Sequence, residues 1–220
     1  MIGLAAGGLM IATIGAIAYG IFGATTTVLG GVAASKAFAL GAAVYNSVAF
    51  GIAPLYGIAM QGIEFEQGKN PFFVMLDGVT DVRNFGAIAR TCECAAVDAV
   101  IIPARGSASV NADAVKTSAG ALHTLPVCRE QNLRSTLQYL KDSGFRIVAA
   151  TEKGDYDYTK ADYTGPMCII MGAEDTGVSY DNLALCDEWV KIPMLGSIES
   201  LNVSVAAGIL IYEGVKQRTN

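Results

Sequence analysis

FFVMLDGVTDVRNFGAIARTCECAAVDAVIIP, residues 72–103, decides the fold class. Residues 72–76 form an unbroken apolar run that Asp77-Gly78 stops, which is how a buried strand and its turn read. Across 84–96, Phe85, Ile88, Ala89, Cys92 and Ala96 recur at helical spacing. Residues 99–102 are a second apolar run, ended by Pro103, which has no N–H to give a sheet. Strand, helix and strand in this compass predict a parallel pair joined by a crossover helix.

The pattern continues outward from this unit. Helices are predicted over 111–119 and 132–143, the latter with Leu133, Leu137 and Leu140 on one face. A strand is expected at 122–127, which would place His123 inside an apolar run. Short β-rich runs follow at 145–150, 167–171 and 189–192, with a helix at about 180–186 and a closing helix over 203–217. Such alternation predicts an α/β fold, a parallel sheet with helices on both faces. Ligands of these sheets bind beyond the carboxyl ends of the strands. Loops 77–84, 172–177 and 193–202, rich in Gly, Asn, Ser and carboxylates, are therefore the candidate site.

Composition divides the 220-residue chain sharply. It is 52% hydrophobic with a mean hydropathy of +0.42, yet residues 1–70 carry only Lys36, Glu64, Glu66 and Lys69 as charges. The remainder carries the whole net charge of −5. Residues 1–66 read as an apolar, helical, Gly/Ala-rich segment, 67–71 as a polar linker, and 72–220 as the folded domain. Two apolar stretches, 2–22 and 37–60, are long enough to span a bilayer. They read equally as a membrane hairpin, as a segment packed on the domain, or as a foreign fusion. An acidic domain gains no nucleic-acid affinity from bulk charge, so a local basic patch or a partner would have to supply it.

Several chemistries are excluded. No G-x-G-x-x-G follows a strand, and Gly172 to Gly177 has P-loop spacing without the Lys-Ser/Thr that holds phosphate. G-x-S-x-G is absent, so His123 has no serine nucleophile to serve and reads as structural. One histidine and five cysteines without a C-x-x-C pair make a metal site improbable. The cysteines read as reduced, mostly buried thiols of a cytoplasmic domain.

The three loops together resemble the motifs of the SpoU/TrmH branch of the SPOUT RNA methyltransferases. Asp81-Val82-Arg83-Asn84-Phe85-Gly86-Ala87-Ile88-Ala89-Arg90-Thr91 resembles the first motif. Ile170-Met171-Gly172-Ala173-Glu174 through Gly177 resembles the second. Ile192-Pro193-Met194 with Ser200-Leu201-Asn202-Val203-Ser204-Val205-Ala206 resembles the third. The resemblance implies a C-terminal trefoil knot, a homodimer, S-adenosylmethionine as cofactor, and methylation of a ribose 2′-hydroxyl in RNA, with ribosomal RNA favoured over transfer RNA. It places Asn84, Arg90, Glu174, Ser200 and Asn202 at catalytic positions, and Thr151, Gly172, Ile192, Met194 and Leu201 against the cofactor.

The family role of Arg90 is general base. A guanidinium stays protonated, so Arg90 reads better as a phosphate clamp and stabiliser of developing alkoxide charge. Glu174 then accepts the proton or orients Arg90. Ser200 and Asn202 would position the hydroxyl and cofactor. Asn84 and Asn202 both stand where a helix begins and could instead be caps. The rival reading is a membrane-associated or fused domain that binds RNA or cofactor without catalysis.

Overall fold

The computed structural model describes residues 70–219. Within them, strands β1 (Phe72–Asp77), β2 (Ala99–Pro103), β3 (Val127–Glu130), β4 (Arg146–Ala150), β5 (Tyr156–Asp157), β6 (Met167–Gly172) and β7 (Glu188–Lys191) form one sheet. Their order is β3-β2-β1-β6-β4-β7-β5, and every neighbouring pair is parallel. Helices α1 (Val82–Cys94), α2 (Ala112–Thr117), α3 (Leu133–Asp142), α4 (Tyr180–Leu183) and α5 (Val203–Thr219) lie between or after them.

Continuous apolar strands follow from burial on both faces. Phe72, Val74 and Leu76 of β1 share a core with Met167, Ile169 and Met171 of β6, with Phe85, Ile88 and Cys92 of α1, and with Val203, Ala207 and Leu210 of α5. The alternate residues Phe73 and Met75 point the other way. There Phe73 stacks on Phe145 with ring centroids 5.0 Å apart, and α3 turns its buried Leu133, Leu137 and Leu140 inward. Helices therefore cover both faces, as the alternation predicted.

Boundaries show where local chemistry overrides period. α1 starts two residues ahead of expectation because Asp81 caps it, accepting a hydrogen bond from the Asn84 amide at 2.7 Å. The strand expected at 122–127 is replaced. Ser118 ends α2, Gly120 adopts φ +90°, and the chain makes a 3-10 turn at Ala121–His123 before β3 begins at Val127. His123 is exposed in that turn rather than enclosed in a strand. The two-residue β5 and the 3-10 turn at Tyr158–Lys160 had no periodic signal to betray them. Cys92, Cys128 and Cys168 are buried and Cys186 is half-buried, as expected, but Cys94 is exposed. Burial pushes the Cys128 and Cys186 thiols up to about 12, and those of Cys92 and Cys168 higher still.

At the sheet's far edge the chain makes an unusual crossing. Ala150 of β4 and Tyr156 of β5 both pair with Val190, so β7 lies between two strands joined by only five residues. Residues 151–155 therefore pass across β7, held by Thr151 N–H to Val190 O at 2.9 Å and Asp155 N–H to Trp189 O at 3.0 Å. Gly154 makes this passage possible. A Cβ there would stand 2.4 Å from the carbonyl carbon of Val190.

No helix among the described residues is long and apolar enough to cross a membrane. The candidate spans 2–22 and 37–60 lie outside the described residues.

Candidate active site

The loops after β1, β6 and β7 meet where predicted, beyond the carboxyl ends of the strands. β1 and β6 are adjacent along their full length, from Phe72 opposite Met167 to Asp77 opposite Gly172. The loop after β6 is tied down by Asp77. Its carbonyl accepts from the Ala173 amide at 3.0 Å. Its carboxylate accepts from the Ser179 amide at 2.9 Å, the Ser179 hydroxyl at 2.7 Å and the Asn182 side-chain amide at 2.9 Å. Both ends of segment 173–179 are thereby fixed to β1, with an antiparallel bridge between Ala173 and Gly177 inside it. Gly172 is required by that fold, because a Cβ there would come within 1.8 Å of the Gly177 carbonyl carbon. Sequence reading placed Asp77 in a candidate loop but missed Ser179, Asn182 and their ties to it, since partners more than 100 positions apart leave no local signal.

Glu174 projects from the pinned segment to the two asparagines. Asn84 Nδ2 donates to Glu174 Oε1, and Asn202 Nδ2 reaches both Asn84 Oδ1 at 3.0 Å and Glu174 Oε1 at 3.3 Å. One residue from each of the three motifs thus enters a single hydrogen-bonded cluster. Both bonds to Glu174 use Oε1, and Glu174 Oε2 has no hydrogen bond to any described residue. Asn84 is not a cap: Asp81 performs that task, and the Asn84 amide group is directed to Glu174. Asn202 does both, since its Oδ1 accepts from the Ser204 amide at 2.9 Å and the Ser204 hydroxyl at 2.6 Å.

Arg90 and Ser200 stand apart from this cluster. Both are exposed, and their side chains make no hydrogen bond or ion pair with the described residues. No ion pair joins Glu174 to Arg90 among the described residues.

Of the residues expected to hold a cofactor, Ile192, Met194 and Leu201 lie at or in the last loop. Ile192 packs partly against the core, while Met194 and Leu201 are exposed. Leu195 is 98% exposed and Ile198 74%, so this loop offers four large apolar side chains without cover. Its backbone amides from 194 to 201 make no hydrogen bond with the described residues. Apolar surface beside free amides suits a planar heterocycle with a polar edge. Thr151 is half-buried at the crossing, its hydroxyl accepting from the Lys153 amide at 3.3 Å.

Comparison with known proteins agrees with this geometry. The profile of the SpoU rRNA Methylase family matches residues 71–212. The 23S rRNA (guanosine-2′-O-)-methyltransferase RlmB of Photorhabdus laumondii is 43% identical over 154 residues, covering 70% of this chain and 63% of that protein. Its namesake in Escherichia coli K12 is 42% identical over 149 residues, covering 68% and 61%. This chain thus spans under two thirds of the length of either relative. Among solved structures, the SpoU methyltransferase AviRb of Streptomyces viridochromogenes in complex with AdoMet superposes with a TM-score of 0.64 at 32% identity, over 69% of this chain and 59% of that one. The TrmH/SpoU tRNA modifying enzyme of A. aeolicus gives 0.64 at 34% identity, over 69% and 77%. The sheet, the three meeting loops and the match across residues 71–212 leave one assignment: the chain belongs to the SpoU rRNA methylase family.

Proposed function

We propose that this chain methylates a ribose 2′-hydroxyl in RNA, foremost ribosomal RNA, using S-adenosylmethionine. The observation that carries the reading is the Asn84–Glu174–Asn202 cluster, which joins all three motif loops at one point. Bound S-adenosylmethionine supplies an electrophilic methyl group on a sulfonium. The loop from Ile192 to Leu201 would hold it, with Gly172 and Thr151 shaping the floor and Met194 the wall. The chain's own task is to align a hydroxyl with that methyl and to receive its proton. Glu174 Oε2 takes the proton, while Asn84 and Asn202 hold the carboxylate through Oε1. Arg90 is the phosphate clamp and Ser200 a second contact to the hydroxyl.

The fold carries two further parts of this reading. The passage of 151–155 across β7, with backbone packed too closely for any side chain at Gly154, supports a trefoil knot at the C-terminal end of the sheet. A homodimer is supported by α5, whose exposed face presents Val205 and Tyr212. Light scattering of the full chain should give twice the chain mass, and Val205→Lys with Tyr212→Lys should return it to one.

The deciding experiment is transfer of labelled methyl from S-adenosylmethionine to unmodified ribosomal RNA, with transfer RNA in parallel. The full chain should label ribose in ribosomal RNA. Glu174→Gln and Arg90→Ala should each lower turnover about a hundredfold or more, the scale of a lost acid–base or electrostatic contribution, while cofactor affinity by calorimetry stays near wild type. Labelling of transfer RNA alone would reassign the substrate. Cofactor and RNA binding without any transfer would favour a binding domain instead.

A further inference from the structure

The chain is acidic overall, yet its charge is unevenly placed. Residues 71–150 hold eight basic and seven acidic side chains, whereas 151–220 hold five and eleven. The part from β1 to β4 is thus close to neutral, and the part from β5 onward carries the whole excess of negative charge.

The seven arginines of the described residues differ in what their side chains touch, and three of them are held by protein groups. Arg134 donates to the Asp181 carbonyl, and Arg146 bridges Asp162 and Glu188. Arg218 donates to the carbonyls of Tyr163, Asn70 and Gly165. The other four arginines of the described residues, Arg83, Arg90, Arg105 and Arg129, make no hydrogen bond or ion pair there. All four fall in the stretch from β1 to β3. Of the carboxylates near them in the chain, Asp77 holds the loop after β6, Asp81 caps α1, and Glu130 is buried and pushed towards its neutral form by desolvation, while Glu93, three residues after Arg90, is exposed.

Backbone contacts place three of them along one rim. Arg83 is exposed in the first turn of α1, next to Asn84. The loop carrying Arg105 lies against the start of that turn, since Ala108 N–H donates to Val79 O at 2.9 Å. The same loop touches the end of β3, where Ala104 N–H donates to Glu130 O at 2.8 Å. Arg129 sits opposite Ile102 in register, and Ile102 faces the α1 core, so Arg129 lies on that side of the edge strand. Arg83, Arg105 and Arg129 therefore run outward from the catalytic cluster along the carboxyl ends of β1, β2 and β3.

We propose that Arg83, Arg105 and Arg129 form a phosphate-binding track that leads a single RNA strand into the site. This rests on the methyltransferase reading above and supplies what an acidic chain otherwise lacks. Guanidinium groups free of protein partners, spaced along a rim, release counterions when they meet a phosphate backbone. The opposite rim repels it: Lys153 and Lys160 are surrounded in sequence by Glu152, Asp155, Asp157 and Asp162.

The test is fluorescence anisotropy of a labelled single-stranded RNA oligonucleotide with the full chain across a salt series. Arg105→Ala with Arg129→Ala should weaken binding about tenfold or more at low salt and flatten the log–log salt slope by about 1.4, or about 0.7 for each lost phosphate contact. Arg83→Ala alone should flatten it by about 0.7. Lys153→Ala with Lys160→Ala should leave affinity within about twofold and the slope unchanged. In methyl transfer the arginine pair should raise KM for RNA and leave KM for S-adenosylmethionine as it was. An arginine pair that binds with wild-type affinity and slope overturns the track, as does equal weakening by the lysine pair. The two readings separate cleanly. Arginine-dependent binding without methyl transfer keeps the track and removes the catalytic reading, and methyl transfer with unaltered arginine variants does the reverse.

Discussion

Asn202 joins a helix cap to a place in the candidate site. Its oxygen caps α5 through Ser204, and its nitrogen enters the cluster with Asn84 and Glu174. Substitution can separate the two. Asn202→Asp keeps an oxygen for the cap but puts a second carboxylate beside Glu174, with no N–H to give. It should keep the cap's contribution to the thermal midpoint, less the repulsion between the two carboxylates, and still lower turnover about a hundredfold, the scale of a lost positioned hydrogen bond in the proposed catalytic cluster. Asn202→Ala should lose turnover too, and in addition about 1 kcal/mol of stability with the cap. The paired measurement is thermal melting and methyl transfer on both variants. A fully active Asp variant would leave Asn202 as a cap alone. Sequence reading could name this residue but not its double role. The cap was visible in its position before a helix, whereas the contact to Asn84 spans 118 positions.

At the scale of elements, legibility followed periodicity. α3 was readable to within one residue at each end, because Leu133, Leu137 and Leu140 mark one face and Asn132 caps it. β5 was not, since two residues carry no period, and the turn at His123 was set by a left-handed Gly120 rather than by hydrophobic pattern. α5 has a chemistry of its own at its far end. Gln217 Nε2 and Lys216 Nζ hydrogen-bond the Glu213 carboxylate and hold it below the ordinary range. A carboxyl depressed on folding stabilises the native state above its unfolded value and loses that contribution as pH falls through the folded one. Glu213→Gln should therefore melt lower than wild type at pH 7, and the gap should close as pH drops below about 4. Thermal melts at matched ionic strength from pH 7 to pH 3 would show it. A gap constant across that range would mean that the ion pair and the Gln217 bond contribute nothing through charge.

For the whole molecule, the sequence carried the parallel sheet and the three loops that form the site, because each strand and each motif is a local pattern. It did not carry the order β4-β7-β5, where a late strand comes to lie between two earlier ones. That order depends on a backbone crossing, and the residue that permits it is one glycine of 25 in the chain. Gly154 is distinguished only by what surrounds it: a Cβ would meet Val190 and Lys191 backbone at 2.4 to 2.8 Å, atoms that cannot swing aside as a side chain would. Gly154→Ala must then either separate the crossing strands or strain both. It should cost about 3 kcal/mol or more, in the range of overpacked or strained sites. Gly165→Ala is the matched control, since nothing lies within 4 Å of its Cβ direction and its φ is not in the left-handed region. Because Ala restricts the unfolded chain, that variant should be neutral or slightly stabilised. Urea unfolding of the two variants beside the parent chain separates the cases. Equal midpoints for both would show that the loop 151–155 yields easily, and the tight passage across β7 would lose its claim to hold the fold together.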